Sequence, residues 1–187
     1  VGCITGSLHP LLSGSDAFTG SKRFRGMYFC VEGMAAAVES AREIVSSLGG
    51  MSISIETEFK PLYHASAVMS AGHLVALFSM AVEMLAKCGI STQDAHKILQ
   101  PLALSAVENL SARTPADALT GSFARLDISA FERHLASFDE LIGKEIQEVF
   151  LLLGERSVEL AESAGGDVSK AKELRERINI AKRKLGC

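Results

Sequence analysis

Hydrophobic and polar positions divide the chain into two stretches of different rhythm. Up to about residue 56, glycines and serines separate short apolar runs; from residue 57 onward apolar residues recur at helical spacing almost without a break. In the first stretch, residues 27–31 form an apolar run of strand length punctuated by Gly33. Residues 34–48 predict a helix with Val38, Ala41, Ile44 or Val45, and Leu48 on one face, stopped by Gly49-Gly50. Residues 51–55 predict a second strand. Strand, helix and strand with short connections make a βαβ unit, which needs a sheet wider than two strands to be stable.

In the second stretch Thr57 can cap a helix that starts near Glu58, tolerates Pro61 in its first turn and runs to Lys87, before Cys88-Gly89. Ser91 and Asp94 open the next helix in a capping-box-like arrangement, and Pro101 is expected to kink or interrupt it. Thr114-Pro115 marks a further N-terminus. Asp127 caps a helix carrying Phe131, His134 and Leu135, and apolar periodicity continues from Ile142 through Leu160 to Gly165-Gly166. Asp167 starts the last helix, whose final turn is basic, as the helix dipole prefers. Residues 65–82 approach the minimum length of a membrane span, but the polar flanks Lys60, His64, Glu83 and Lys87 and the many small residues favour a buried central helix.

Composition narrows the function classes. With 187 residues and 48% hydrophobic content the chain can bury an ordinary core, which excludes disorder and cysteine-stapled folds. A net charge of -3 gathers neither a phosphate backbone nor an anionic membrane, and 6% aromatics leave few stacking platforms, so neither nucleic acid nor a membrane is expected as a partner. Cys3, Cys30, Cys88 and Cys187 are spread singly, without the spacing of a zinc site; no metal is expected, and the reading is a reduced, cytoplasmic protein. The numbering begins at Val1 and the first residues read like a chain already inside a fold.

Neither a G-x-G-x-x-G fingerprint nor a Walker A pattern is present. Lys60 and His64 stand four apart and so share a helix face, continued by the small Ala67 and Ala71. Such a face lets a substrate lie close to the backbone while an ammonium and an imidazole reach it, which suits proton donation to a carbonyl being reduced; the plainer alternative is a solvated lysine and a core-edge histidine. His9-Pro10 is read as a loop leaving a strand, where open α/β sheets bind ligands. The turn 119–127 offers Thr120, Gly121 and Arg125, a hydroxyl, a flexible glycine and a guanidinium able to hold a carboxylate or phosphate. His73, His96 and His134 are read as structural.

The segments Ser7-Leu8-His9-Pro10-Leu11, Phe29-Cys30-Val31-Glu32-Gly33, Leu48-Gly49-Gly50, Lys60-Pro61-Leu62-Tyr63-His64-Ala65-Ser66-Ala67-Val68 and Leu119-Thr120-Gly121 with Ala124-Arg125 together resemble a family of uncharacterised Rossmann-like proteins with a C-terminal helical domain of unknown function. That family is similar to pyrroline-5-carboxylate reductase, ketopantoate reductase and the 6-phosphogluconate and 3-hydroxyacid dehydrogenases. The chain departs from the family pattern at Ala71-Gly72, where Ser-Asn is usual, and at Ser122 and Leu126, where the turns usually read Thr-Gly-Pro and Arg-Gly-Asp.

The resemblance implies a mainly α chain: the C-terminal portion of a Rossmann α/β domain, its last βαβ unit over residues 1–56, followed by an all-helical domain like that of 6-phosphogluconate dehydrogenase over residues 57–187. It implies NADP or NAD as cofactor, a small polar substrate in an interdomain cleft and a homodimer through the helical domain. Lys60 and His64 take catalytic positions, Thr120, Gly121 and Arg125 substrate contacts, and His9 and Pro10 the cofactor side. The front of the Rossmann domain, with its glycine fingerprint, is expected upstream of Val1. The alternative is a dimerisation or regulatory module without chemistry.

Overall fold

A computed structural model describes residues 2–13, 20–138 and 141–186; Val1 and Cys187, noted above, lie outside them. Two compact units divide within one helix, the first Val1–Ala76 and the second Leu77–Cys187.

The first unit carries strands β1 (Gly6–Pro10), β2 (Tyr28–Gly33) and β3 (Met51–Ser54), with helix α1 (Ala35–Ser47) between β2 and β3. The expected βαβ unit is β2-α1-β3, its strands parallel; β1 joins β2 from the other side in antiparallel register, placing Gly6 opposite Gly33 and His9 opposite Cys30. Side chains alternate across a strand. Leu8, Phe29 and Val31 therefore face α1, where Val38, Ala41, Val45 and Leu48 close a small core, and Ser7, His9, Cys30 and Glu32 occupy the opposite face. Of the two candidates for the α1 stripe, Val45 is buried and Ile44 exposed. His9 lies inside β1, so the loop expected for it is replaced by a strand end. Gly33, at φ 125°, packs so closely that a Cβ there would meet Gly6 Cα at 2.5 Å.

After a single 3-10 turn at Thr57–Phe59, α2 (Lys60–Ser70) and α3 (Gly72–Ala86) follow, broken at Ala71. The one long helix of the sequence reading is thus two, and Thr57 gives its first turn no side-chain cap. The expected buried central helix is corrected as well: Val82 alone is buried among the described residues of α2 and α3. The run Thr57–Ala86 is long and apolar enough, by length and composition, to cross a membrane.

The second unit continues with α4 (Thr92–Ala112), α5 (Pro115–Ala118), α6 (Gly121–Ala124), α7 (Ile128–Phe138), α8 (Lys144–Ser163) and α9 (Val168–Leu185). Its helix starts follow the capping signals: the Ser91, Thr114 and Asp167 side chains accept backbone N–H bonds from Asp94, Asp117 and Ser169, and Asp127 accepts one from Ala130 at 2.9 Å. Pro101 does not end α4, which runs through it. The core is built by α7, α8 and α9, with Phe131, Leu151, Val158, Leu174 and Ile178 buried, each contributing about 1.5–3 kcal/mol by removal from water. Gly154 on α8 leaves room for the Phe123 ring; a Cβ there would meet Phe123 Cζ at 3.0 Å. Ion pairs Arg175–Glu162 and Lys182–Glu155 run between α8 and α9.

The architecture is therefore a small α/β unit, consistent with part of a Rossmann-like domain, followed by an all-helical unit.

Candidate functional site

The first two turns of α2 send Lys60 and Tyr63 onto the polar face of the sheet. Residues 60, 63 and 64 stand three and four apart, the spacing that puts side chains on one helix face. Lys60 ties to β1 and β2 at once: its ammonium donates to Ser7 Oγ at 3.0 Å and is ion-paired with Glu32 Oε1. Glu32 is buried, at 7% exposure, and Oε2 has no hydrogen-bond partner. The Lys60 ammonium, with a smaller contribution from Thr57, holds this carboxyl below the usual glutamate range. An ammonium has three donors; Glu32 and Ser7 engage two, and Lys60 remains partly exposed.

One turn on, Tyr63 reaches the same two strands. Its hydroxyl lies 2.8 Å from His9 Nδ1, with the rings edge to face at 5.7 Å, and it neighbours the Cys30 thiol. Burial is the main cause that pushes both the thiol and the phenol upward, so each keeps its proton at neutral pH. The His64 ring stands 5.9 Å from that of His9. Both imidazoles line a cavity of about 460 Å³ whose other walls include Leu11, Leu12, Ala67 and Val68. Ala71 and Gly72, the positions that depart from the family pattern, line it too, so the cavity is more apolar than a Ser-Asn pair would make it.

Of the residues singled out in the sequence, Lys60, His64, His9 and Pro10 are gathered in this first unit. Thr120, Gly121 and Arg125 belong to the second, where Thr120 and Arg125 flank the one-turn helix α6 and Gly121 takes φ 81°. The Thr120 hydroxyl makes no capping bond and Arg125 is exposed. His96 packs edge-on against Phe78, and His134 against Phe150.

Sequence reasoning missed Ser7, Cys30, Glu32 and Tyr63. Two alternations carried the signal: Ser7-x-His9 on one strand and Cys30-x-Glu32 on the next put four polar or ionisable groups on one sheet face. Among the described residues no group of three or more His, Cys, Asp or Glu is placed to hold a metal.

A family model described as a domain of unknown function, DUF2520, matches residues 27–157. The chain belongs to this family. Two solved structures share its fold. Protein TM1727 from Thermotoga maritima superposes with a TM-score of 0.72 at 21% identity, covering 85% of this chain and 62% of that one. BF3122 from Bacteroides fragilis, named a "putative NADP oxidoreductase", gives 0.66 at 20% identity, covering 81% of this chain and 56% of its own. The chain thus spans less than two thirds of either structure's length. No curated protein matches it.

Proposed function

We propose that this DUF2520 chain contributes the proton-handling side of an NAD(P)-dependent oxidoreductase acting on a small polar substrate. The observation that carries the reading is the Lys60 ammonium, held between Ser7 and the buried Glu32 with His64 one turn away. A lysine fixed in this way holds its direction, as a proton donor to a developing alkoxide requires, and the conjugate amine takes the proton back in the reverse direction. His64 is the orienting hydrogen-bond partner, His9 and Pro10 stand on the cofactor side, and Thr120, Gly121 and Arg125 are substrate contacts. The name of the Bacteroides neighbour supports NADP as the cofactor. The free thiols of Cys3, Cys30 and Cys88 fit a reducing compartment, the cytoplasm.

The residues described here do not fit the pyrophosphate of a dinucleotide. The βα turn they contain, after β2, is closed by the backbone of Thr5 and Gly6, which leaves no room even for a Cβ on Gly33, and Met34 N–H is spent on Thr5 O at 3.0 Å. Nucleotide binding by this chain alone is therefore expected to be weak. On the full gene product, NADPH oxidation with a panel of small oxo acids and imines tests the reading. Turnover lost in Lys60→Met with NADPH affinity retained supports it; unchanged turnover, or no binding of NADPH, overturns it.

A second reading, a dimerisation module without chemistry, is favoured by α4. Only Ala95 of its 21 residues is buried, while Ile98, Leu102, Leu104, Val107 and Leu110 are exposed on several sides of the helix. A helix apolar around its axis is one that is enclosed in the assembled state. A second copy of this chain is the proposed cover, and the homodimer is compatible with both readings. Sedimentation at micromolar concentration decides it, a clean monomer counting against it.

A further inference from the structure

The hydrogen bond between Tyr63 and His9 has a direction: either the phenol donates its proton to His9 Nδ1, or His9 Nδ1–H donates to the phenol oxygen. A phenol O–H is a stronger donor than a neutral imidazole N–H, and an imidazole nitrogen is a stronger acceptor than a phenol oxygen. The first arrangement is therefore the favoured one. With Nδ1 accepting, the hydrogen of the neutral ring sits on Nε2, and because Tyr63 takes the Nδ1 side, the Nε2 edge is the one left to the cavity that His9 lines.

The geometry points to Tyr63 as a positioning residue that locks His9 as its Nε2–H tautomer, making the polar end of the His9–His64 cavity a hydrogen-bond donor that takes an sp² oxygen of a carboxylate or carboxamide with an apolar body. The lining matches such a ligand: two imidazoles at one end, Leu11, Leu12, Ala67 and Val68 around the rest, and no amide side chain at Ala71-Gly72. A cation would meet a donor at His9 where it needs an acceptor. This goes beyond the oxidoreductase reading and does not depend on Lys60, since it concerns the protonation pattern of a ring that can be observed without turnover. The same oxygen chemistry occurs in a small carboxylic acid and in a nicotinamide carboxamide, so the two sources are tested side by side.

Long-range ¹H–¹⁵N spectra of the full chain labelled at histidine, recorded at about pH 8 where free imidazole is neutral, read the tautomer directly; His9→Asn identifies the His9 signals. The expected wild-type pattern is an acceptor-type Nδ1 and a protonated Nε2. Tyr63→Phe is expected to abolish this single-tautomer signature, while Cys30→Ser, a change beside the phenol that leaves its hydroxyl in place, preserves it and serves as the control for a fold disturbed at this point. A wild-type ring protonated at Nδ1, or a tautomer unchanged in Tyr63→Phe, overturns the lock. Titration then uses 4-methylpentanoate, nicotinamide and 4-methylpentylamine. A shift of His9 Nε2–H with either oxygen probe and none with the amine supports the ligand class, the responding probe telling acid from carboxamide. Equal response to the amine, or no response to either oxygen probe, overturns it.

Discussion

Lys60 on α2 is ion-paired with Glu32 on β2, across the face of the sheet that α1 does not cover. The pair joins an element of helical rhythm to one of strand rhythm, and it fixes where the ammonium stands relative to Ser7 and His9. On the proposed reading, in which Lys60 is the proton donor, Lys60→Met in the full gene product is expected to lower turnover roughly 10²–10⁴-fold, the range for loss of a positioned proton donor, with nucleotide affinity little changed.

Glu32 sets an acid limit. Its folded carboxyl titrates below the ordinary value of 4.5, so its contribution to stability is fully present above that value and is lost as pH falls through the lower folded one. Urea unfolding at pH 6 and at pH 4 should show a smaller acid loss for Glu32→Gln than for the wild type. An identical loss in both proteins would mean that the pair does not persist in solution.

Leu126 is the one non-glycine residue with positive φ among those described, at 52°, and it is also buried in the helical core at 3% exposure. The resemblance would put glycine at this turn, the residue such a φ favours, whereas this chain combines local strain with a core side chain. Leu126→Ala should cost about 2–5 kcal/mol in chemical denaturation. Leu126→Gly should be milder by about 1 kcal/mol, the reverse of the order found within a helix.

Asp167 accepts from Ser169 N at 2.8 Å and Lys170 N at 3.1 Å, holding the first turn of α9. Asp167→Ala is expected to destabilise the chain by about 1 kcal/mol and Asp167→Asn by much less, measured in the same way.

Leu102 projects from α4 at 68% exposure. Leu102→Glu should leave the monomer's fold intact and weaken self-association in sedimentation, with the unfolding midpoint losing any dependence on protein concentration. A wild type whose midpoint is already independent of concentration would remove the second-copy argument.

Much of this fold was legible because its signals are local. The N-caps Ser91, Thr114, Asp127 and Asp167, the Gly49-Gly50 stop and the β2-α1-β3 unit all depend on residues within a few positions of each other. What was not legible depends on pairing at a distance. His9 could not be placed on a strand until Cys30 was its partner, and Glu32 read as the polar end of an apolar run until α2 brought Lys60 over it. The break at Ala71 has no glycine or proline in the preceding turn to announce it, and the exposure of α2 and α3 is a tertiary outcome that apolar composition alone points away from.

The register of β1 on β2 has one more consequence. Gly6 meets Gly33 and His9 meets Cys30, so the same number of steps separates the glycine contact from the imidazole–thiol contact on either strand. The two glycines approach too closely for any side chain, and they act as the zero mark of a ruler along which the site is counted out. Inserting a single residue between Gly6 and His9 would keep every hydrophobic residue of α1 in the sequence, yet it would turn the imidazole to the face that now holds Leu8 and away from Tyr63.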